Sequence, residues 1–277
     1  MATLTIHDHR RDSAGYTYVY PVISRRAGGV SVGINLNPNN ACNWACIYCQ
    51  VPNLVRGAAP KINLQQLQSE LRGFLSDAVN GDWLAQNAPE CTMQDIAFSG
   101  NGEPTSAAEF PTVVEIVGQV LREFGLLQKL KIRLITNGSL ISHQPVQQAL
   151  ASMAAMQGEV WFKLDRATAG GMTQINQVSE NIAAVKRRLI ASANHCPTWL
   201  QTCWFALDAA PPEPQEVAAY LAFVREMREH IQGIHLYGLA RPPMQPGAER
   251  LSALPAETLE AYAEQMRDCG VTVTVNP

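Results

Sequence analysis

The feature that most constrains this chain is an alternation of short β-rich runs with amphipathic helical ones. Strands are predicted at 32–36, 95–99, 131–136, 160–165, 199–206 and 234–239, with a possible last one at 271–275. Between the first two, Leu64, Leu67, Leu71, Leu75 and Ala78 recur at helical spacing. Phe110, Val113, Val114, Val117, Leu121 and Phe124 repeat that spacing after the second strand, and Val217, Tyr220, Leu221, Val224, Met227 and Ile231 before the sixth. Strand–helix alternation argues for parallel βαβ units in an α/β fold. Six or seven such units make a full or partial (β/α) barrel; a doubly wound open sheet is the alternative. Proline-rich stretches at 209–214 and 241–247 are too short to separate domains. One domain over 1–277 is therefore expected, with an N-terminal extension (1–30), a barrel core (31–243) and a C-terminal helix with a possible strand (244–277). The extension either covers the bottom or edge of the barrel or contributes an added strand at 16–23.

Composition narrows the partners. The 21 Lys+Arg against 24 Asp+Glu leave a net charge of −3 and no global basic field, so any nucleic-acid contact needs a local patch. No apolar run approaches the ~18–20 residues of a membrane span. The first ten residues lack a signal-peptide core, so a cytoplasmic location without membrane contact is expected, and the seven cysteines are read as thiols.

Three of those cysteines lie within Cys42-Asn43-Trp44-Ala45-Cys46-Ile47-Tyr48-Cys49, directly after the first predicted strand. Thiolates spaced by four and three on a loop can converge on a soft metal centre: zinc, copper(I) or an iron–sulfur cluster. Structural zinc normally takes four ligands. His7 and His9 precede the strand and Cys91 is some forty residues on, so no fourth ligand is adjacent. A four-iron cluster held by three cysteines leaves one iron open. A zinc knuckle is the alternative.

Cys-x3-Cys-x-aromatic-Cys after the first strand of a (β/α) barrel resembles the signature of the radical SAM superfamily. The resemblance implies a partial (β/α)6 barrel of parallel strands. It implies a 4Fe–4S cluster on Cys42, Cys46 and Cys49, with S-adenosylmethionine (SAM) bound at its open iron and Tyr48 near the adenine. Reductive cleavage of SAM then gives a 5′-deoxyadenosyl radical that takes hydrogen from a substrate. A donor such as flavodoxin or ferredoxin is implied as a partner.

In a parallel barrel the chemistry sits at the C-terminal strand ends. The second strand ends in Ser99-Gly100-Asn101-Gly102-Glu103-Pro104-Thr105, whose glycines permit close backbone approach to a ligand. It is similar to the superfamily's GGE motif, with Asn101 in place of Gly, and implies that Gly100, Asn101, Gly102 and Glu103 hold the methionine ammonium. A Gly-Asn-Gly turn is the plain alternative. Alternation puts Arg133, Ile135 and Asn137 on one face of the third strand and Trp161, Lys163 and Asp165 on one face of the fourth. Buried charges must be paired or bind something. Lys163 is assigned to a carboxylate and Asp165 to a ribose hydroxyl of SAM, with an internal ion pair as the alternative.

Substrate-side candidates are Gln201 and Cys203 on the fifth strand, His235 and Tyr237 on the sixth, and Arg241 before two prolines. Cys91, Cys196, Cys203 and Cys269 read as small buried hydrophobes, with Cys203, if it points inward, open to a hydrogen-donor or substrate-contact role. The phrases around Ser99–Thr105, 135–140, Trp161–Asp165 and Arg241-Pro242-Pro243 are similar to the wyosine-synthase-like branch of the superfamily, which modifies a tRNA base. The second cysteine set of that branch is missing here. The substrate is thus left as a small molecule, a peptide or an RNA base, with glycyl-radical activation of a partner enzyme as a further possibility. A non-catalytic metal-binding or electron-transfer barrel is the alternative from another class.

Overall fold

A computed structural model describes Leu4 and residues 14–277. Its centre is an eight-stranded sheet: β1 (Val19–Ser24), β2 (Gly29–Ile34), β3 (Met93–Phe98), β4 (Lys131–Thr136), β5 (Gly158–Lys163), β6 (Thr198–Cys203), β7 (Ile234–Tyr237) and β8 (Val273–Asn276), side by side in that order. From β2 to β8 every neighbouring pair is parallel. The sheet curls into a partial barrel with helices on its outer face, the architecture expected. β1 departs from the parallel scheme, pairing antiparallel with β2 through Val19↔Ile34 to Ser24↔Gly29. A hairpin has so little connecting chain that antiparallel pairing is its natural outcome. The 16–23 region is thus an added edge strand; His7, His9 and Arg10-Arg11 lie outside the described residues.

The helices are α1 (Leu64–Asn80), α2 (Phe110–Glu123), α3 (Gln144–Ala155), α4 (Ala169–Asn176), α5 (Ile182–His195), α6 (Pro214–Met227) and α7 (Ala256–Arg267). Side-chain caps start several of them, with Asn63, Thr168 and Asn181 each accepting a bond from a backbone N–H three residues on. The periodic residues named above supply the buried faces: Leu67, Leu71 and Leu75 of α1 and Val113, Val114 and Val117 of α2 are fully buried. They meet the even residues of the strands, Ile132, Leu134, Val160, Phe162 and Leu200. In β3 to β6 the odd residues face the lumen, so one alternation separates core from cavity there. The expected 199–206 strand ends at Cys203, and residues 206–207 instead pair with 251–252 outside the main sheet. Among the described residues no helix is long and apolar enough to cross a membrane.

Candidate functional site

The cysteine loop leaves the C-terminal end of β2 and is held by segments far away in sequence. Residues 41–42 pair in parallel with 55–56, closing the loop on itself. The backbone N–H groups of Ala45 and Ile47 donate to the carbonyls of Asn176 and Ile175 at the end of α4. On the other side the Met244 N–H donates to the Cys49 carbonyl, and the Gln245 side chain donates to the Val51 carbonyl at 2.7 Å.

This loop roofs a cavity of about 300 Å³ that runs into the lumen. Cys42, Cys46, Cys49 and Tyr48 line it, and so do Gly100, Asn101, Gly102 and Glu103 from the end of β3. Asn137 reaches it from β4, Lys163 from β5, Gln201 and Cys203 from β6, and Tyr237 and Arg241 from β7 and the loop beyond. Asp165 and His235 do not line it.

The cysteine sulfurs sit among N–H donors. Asn176 directs its side-chain N–H at the Cys46 sulfur, 3.3 Å away, and the backbone N–H groups of Trp44 and Glu103 face Cys42. Burial, the main cause, pushes the Cys42 thiol up to about 11 and the Cys46 thiol up to about 12. Such thiols become thiolates at neutral pH only against the charge of a metal centre. Among the described residues no three His, Cys, Asp or Glu side chains converge on one metal ion. Three thiols lining one cavity, with N–H donors directed at the Cys42 and Cys46 sulfurs, fit a cluster whose cysteines sit on separate irons.

On one flank of the loop, Tyr48 bridges two charges. Its hydroxyl accepts from the Lys163 ammonium at 2.6 Å and donates to the Asp165 carboxylate at 2.6 Å. Burial opposes the Lys163 charge, but Asp165 and the acidic groups around it prevail and hold its pKa well above the lysine range. Burial, and then the Asp165 charge, raise the Tyr48 phenol well above its ordinary value, so it stays protonated. Asp165 also accepts from the Asn176 side chain at 2.7 Å and the Cys203 backbone N–H at 2.9 Å. The expected ribose ligand is therefore placed behind Tyr48, with both oxygens engaged by the protein. Asp165 here is a positioning group for Tyr48, Lys163 and Asn176.

Glu103 plays a parallel part on the opposite flank. It is 2% exposed, and its carboxylate accepts from the Thr105 N–H and hydroxyl, the Thr136 hydroxyl and the Asn137 N–H. Burial outweighs these bonds and raises its pKa above the ordinary value. Asn137 in turn donates to Asn43 in the cysteine loop at 2.8 Å, and Asn43 donates to Ser139.

The two glycines here are also needed for packing. A Cβ on Gly102 would lie 2.0 Å from the Ala41 carbonyl, and one on Gly100, whose φ is +147°, would lie 2.4 Å from the Asn35 side chain. Their missing side chains let the β3 end pack against the approach to the cysteine loop. Asn101 strengthens that seam, its N–H donating to Asn35 and its side chain to Asn40.

His235 is enclosed in the strand wall, stacked on Trp199 at 4.6 Å and tilted against Trp161 at 4.6 Å. Burial first, then the charge of Arg26, lower its pKa to about 4. A ring so enclosed is neutral and is a wall element rather than a cavity-facing one. Asn35, Asn43 and Asn176 were not singled out by sequence reasoning, although each tethers a cysteine or the loop that carries it. Their only signal is the density of asparagine around the motif.

No family model matches the chain. A curated UPF0026 protein of Helicobacter pylori (strain J99 / ATCC 700824) is 33% identical over 131 residues, which cover 47% of this chain and 37% of the relative. The matched region thus spans little more than a third of that relative's length. Among solved structures, a radical SAM methyltransferase from Sphaerobacter thermophilus superposes with a TM-score of 0.57 at 15% identity, covering 93% of this chain and 68% of the other. SuiB of Streptococcus suis, bound to S-adenosylmethionine, superposes with a TM-score of 0.55 at 11% identity, covering 88% and 45%. The chain has the partial-barrel fold of these radical SAM enzymes.

Proposed function

We propose that this chain is a radical SAM enzyme with a 4Fe–4S cluster on Cys42, Cys46 and Cys49. The observation that carries the reading is that three thiols of one loop, at the C-terminal mouth of a partial parallel barrel, line one cavity together with a fixed ammonium and the end of β3. When bound, the cluster and S-adenosylmethionine supply an electron and a sulfonium whose cleavage yields a 5′-deoxyadenosyl radical. The protein's own work is orientation and exclusion of water. Lys163, held by Tyr48 and backed by Asp165, presents a permanent positive charge to a ligand carboxylate. Glu103 is committed to Thr105, Thr136 and Asn137, so a ligand ammonium is left to the backbone of the Gly100–Gly102 segment. Gln201, Cys203 and Tyr237 line the lumen below and are assigned to the substrate. Electrons come from a reducing donor protein such as a flavodoxin or ferredoxin.

The test is anaerobic reconstitution with iron and sulfide, then S-adenosylmethionine and dithionite, with 5′-deoxyadenosine as the readout. The wild type is expected to form it, and Cys46→Ala to lose both cluster and product. Product formation by Cys46→Ala would sink the assignment, and one bound zinc without acid-labile sulfide would favour the non-catalytic metal-binding barrel.

A further inference from the structure

The far end of the lumen carries a charge that the chemistry at the mouth does not use. β1 and β2 are joined by a turn at the end of β2 opposite the cysteine loop, about 20 Å away for a six-residue strand. From this turn Arg26 reaches inward. Its guanidinium carbon lies 4.6 Å from the centre of the Tyr237 ring and 5.4 Å from that of Trp161. Its Nη1 is buried and has no hydrogen-bond partner.

The cations carried by the strands of the lumen wall are matched. Arg133 pairs with both Asp95 and Glu159, and Lys131 stands 3.8 Å from Glu159. Lys163 is 4.0 Å from Asp165. Among the described residues, Arg26 forms no ion pair. Buried guanidinium donors are normally satisfied, because an unmet one costs desolvation without return. Two aromatic faces stabilise a cation but leave its in-plane donors open, and in-plane donors are what carboxylates and phosphates bind. Gln201, buried and lining the same cavity, adds a side-chain amide that no described group engages.

We propose that the floor of the cavity, with Arg26 as its anchor and Gln201 and Tyr237 beside it, receives the carboxylate or phosphate of a small acidic substrate. An uncharged nucleobase gains nothing from this charge. The identification of this anion as substrate rests on the proposed function; the anion site itself does not.

The reconstituted full chain, saturated with S-adenosylmethionine, is titrated by calorimetry with acetate and with inorganic phosphate, against sodium chloride of equal ionic strength. One saturable site is expected, and the tighter probe names the class, carboxylate or phosphoryl. Arg26→Gln is expected to weaken binding by roughly 10- to 100-fold, the scale of a lost charge-assisted bond, and Arg26→Lys to recover part of it. Gln201→Glu, which places an anion in the site, is a second variant expected to weaken binding. No binding above the chloride reference, or unchanged affinity in both Arg26→Gln and Gln201→Glu, would overturn the proposal. Failure to form 5′-deoxyadenosine alongside anion binding that depends on Arg26 would instead sink the enzymatic reading and leave the anion site standing.

Discussion

The two flanks of the cysteine loop are built around one buried carboxylate each, yet they work differently. Asp165 faces a cation through Tyr48, whereas Glu103 accepts only from hydroxyls and backbone N–H groups. Both would pass for ligand-binding acids in a sequence, and both are spent on the protein. The difference lies in what is left exposed to the cavity. The Asp165 flank presents the Lys163 charge, and the Glu103 flank presents neutral backbone and amides. One flank sets an electrostatic field and the other sets a shape.

The sharpest way to break this comparison is to remove each carboxylate. Asp165→Ala leaves Lys163 and Asn176 without their partner and is expected to cost about 3–5 kcal/mol of stability in denaturant unfolding. His235, in the wall beneath both flanks, supplies the next largest effect. Its pKa of about 4 lies below the unfolded value of 6.5, so the unfolded state binds the extra proton. Stability should therefore fall as pH drops from about 6.5 to 4, by up to ~3 kcal/mol. Melting curves of His235→Gln should show that acid loss reduced.

Glu103→Gln keeps the shape and removes the charge, with an expected cost of about 1–3 kcal/mol at neutral pH from imperfectly paired donors. Its pH dependence follows from the raised carboxyl. A carboxyl whose folded pKa is raised contributes stability below its unfolded pKa and loses it as pH rises through the folded pKa. Wild type should lose that contribution across the window above about pH 4.3, and Glu103→Gln should not. The smallest effect belongs to Asn176→Ala, which removes the N–H donor to Cys46 and should lower the reduction potential of the proposed cluster in a redox titration. Asn43→Ala, on the shape-setting flank, should leave the potential closer to wild type.

Much of this arrangement was legible in advance because period-two alternation survives folding. Arg133, Ile135, Trp161, Lys163, Gln201 and Cys203 sit on the lumen side where their strands' alternation put them. The cysteine loop was legible because thiols at that spacing have few other uses. The tethers were not: an asparagine in a loop carries no periodicity, so Asn43 and Asn176 look like any turn residue until the distant segments meet. Arg26 was hidden for a related reason. Two adjacent arginines carry no periodicity of their own, and only the curl of the sheet brings Trp161 and Tyr237 around the second. Gly100 and Gly102 were read as room for a ligand, and the space of their missing methyls is also taken by Asn35 and the Ala41 carbonyl. Sequence shows that space is needed and leaves its occupant to tertiary packing.

The bond from Gln245 to the Val51 carbonyl spans 194 residues, and it bears on how the protein is made. At roughly 5–20 residues per second of synthesis, the cysteine loop leaves the ribosome about 10–40 s before the segment that braces it. During that interval the three thiols are a local motif without walls, open to oxidants and to stray metal. The order of translation thus makes insertion of the proposed cluster a late step, following synthesis of the segment that braces the loop.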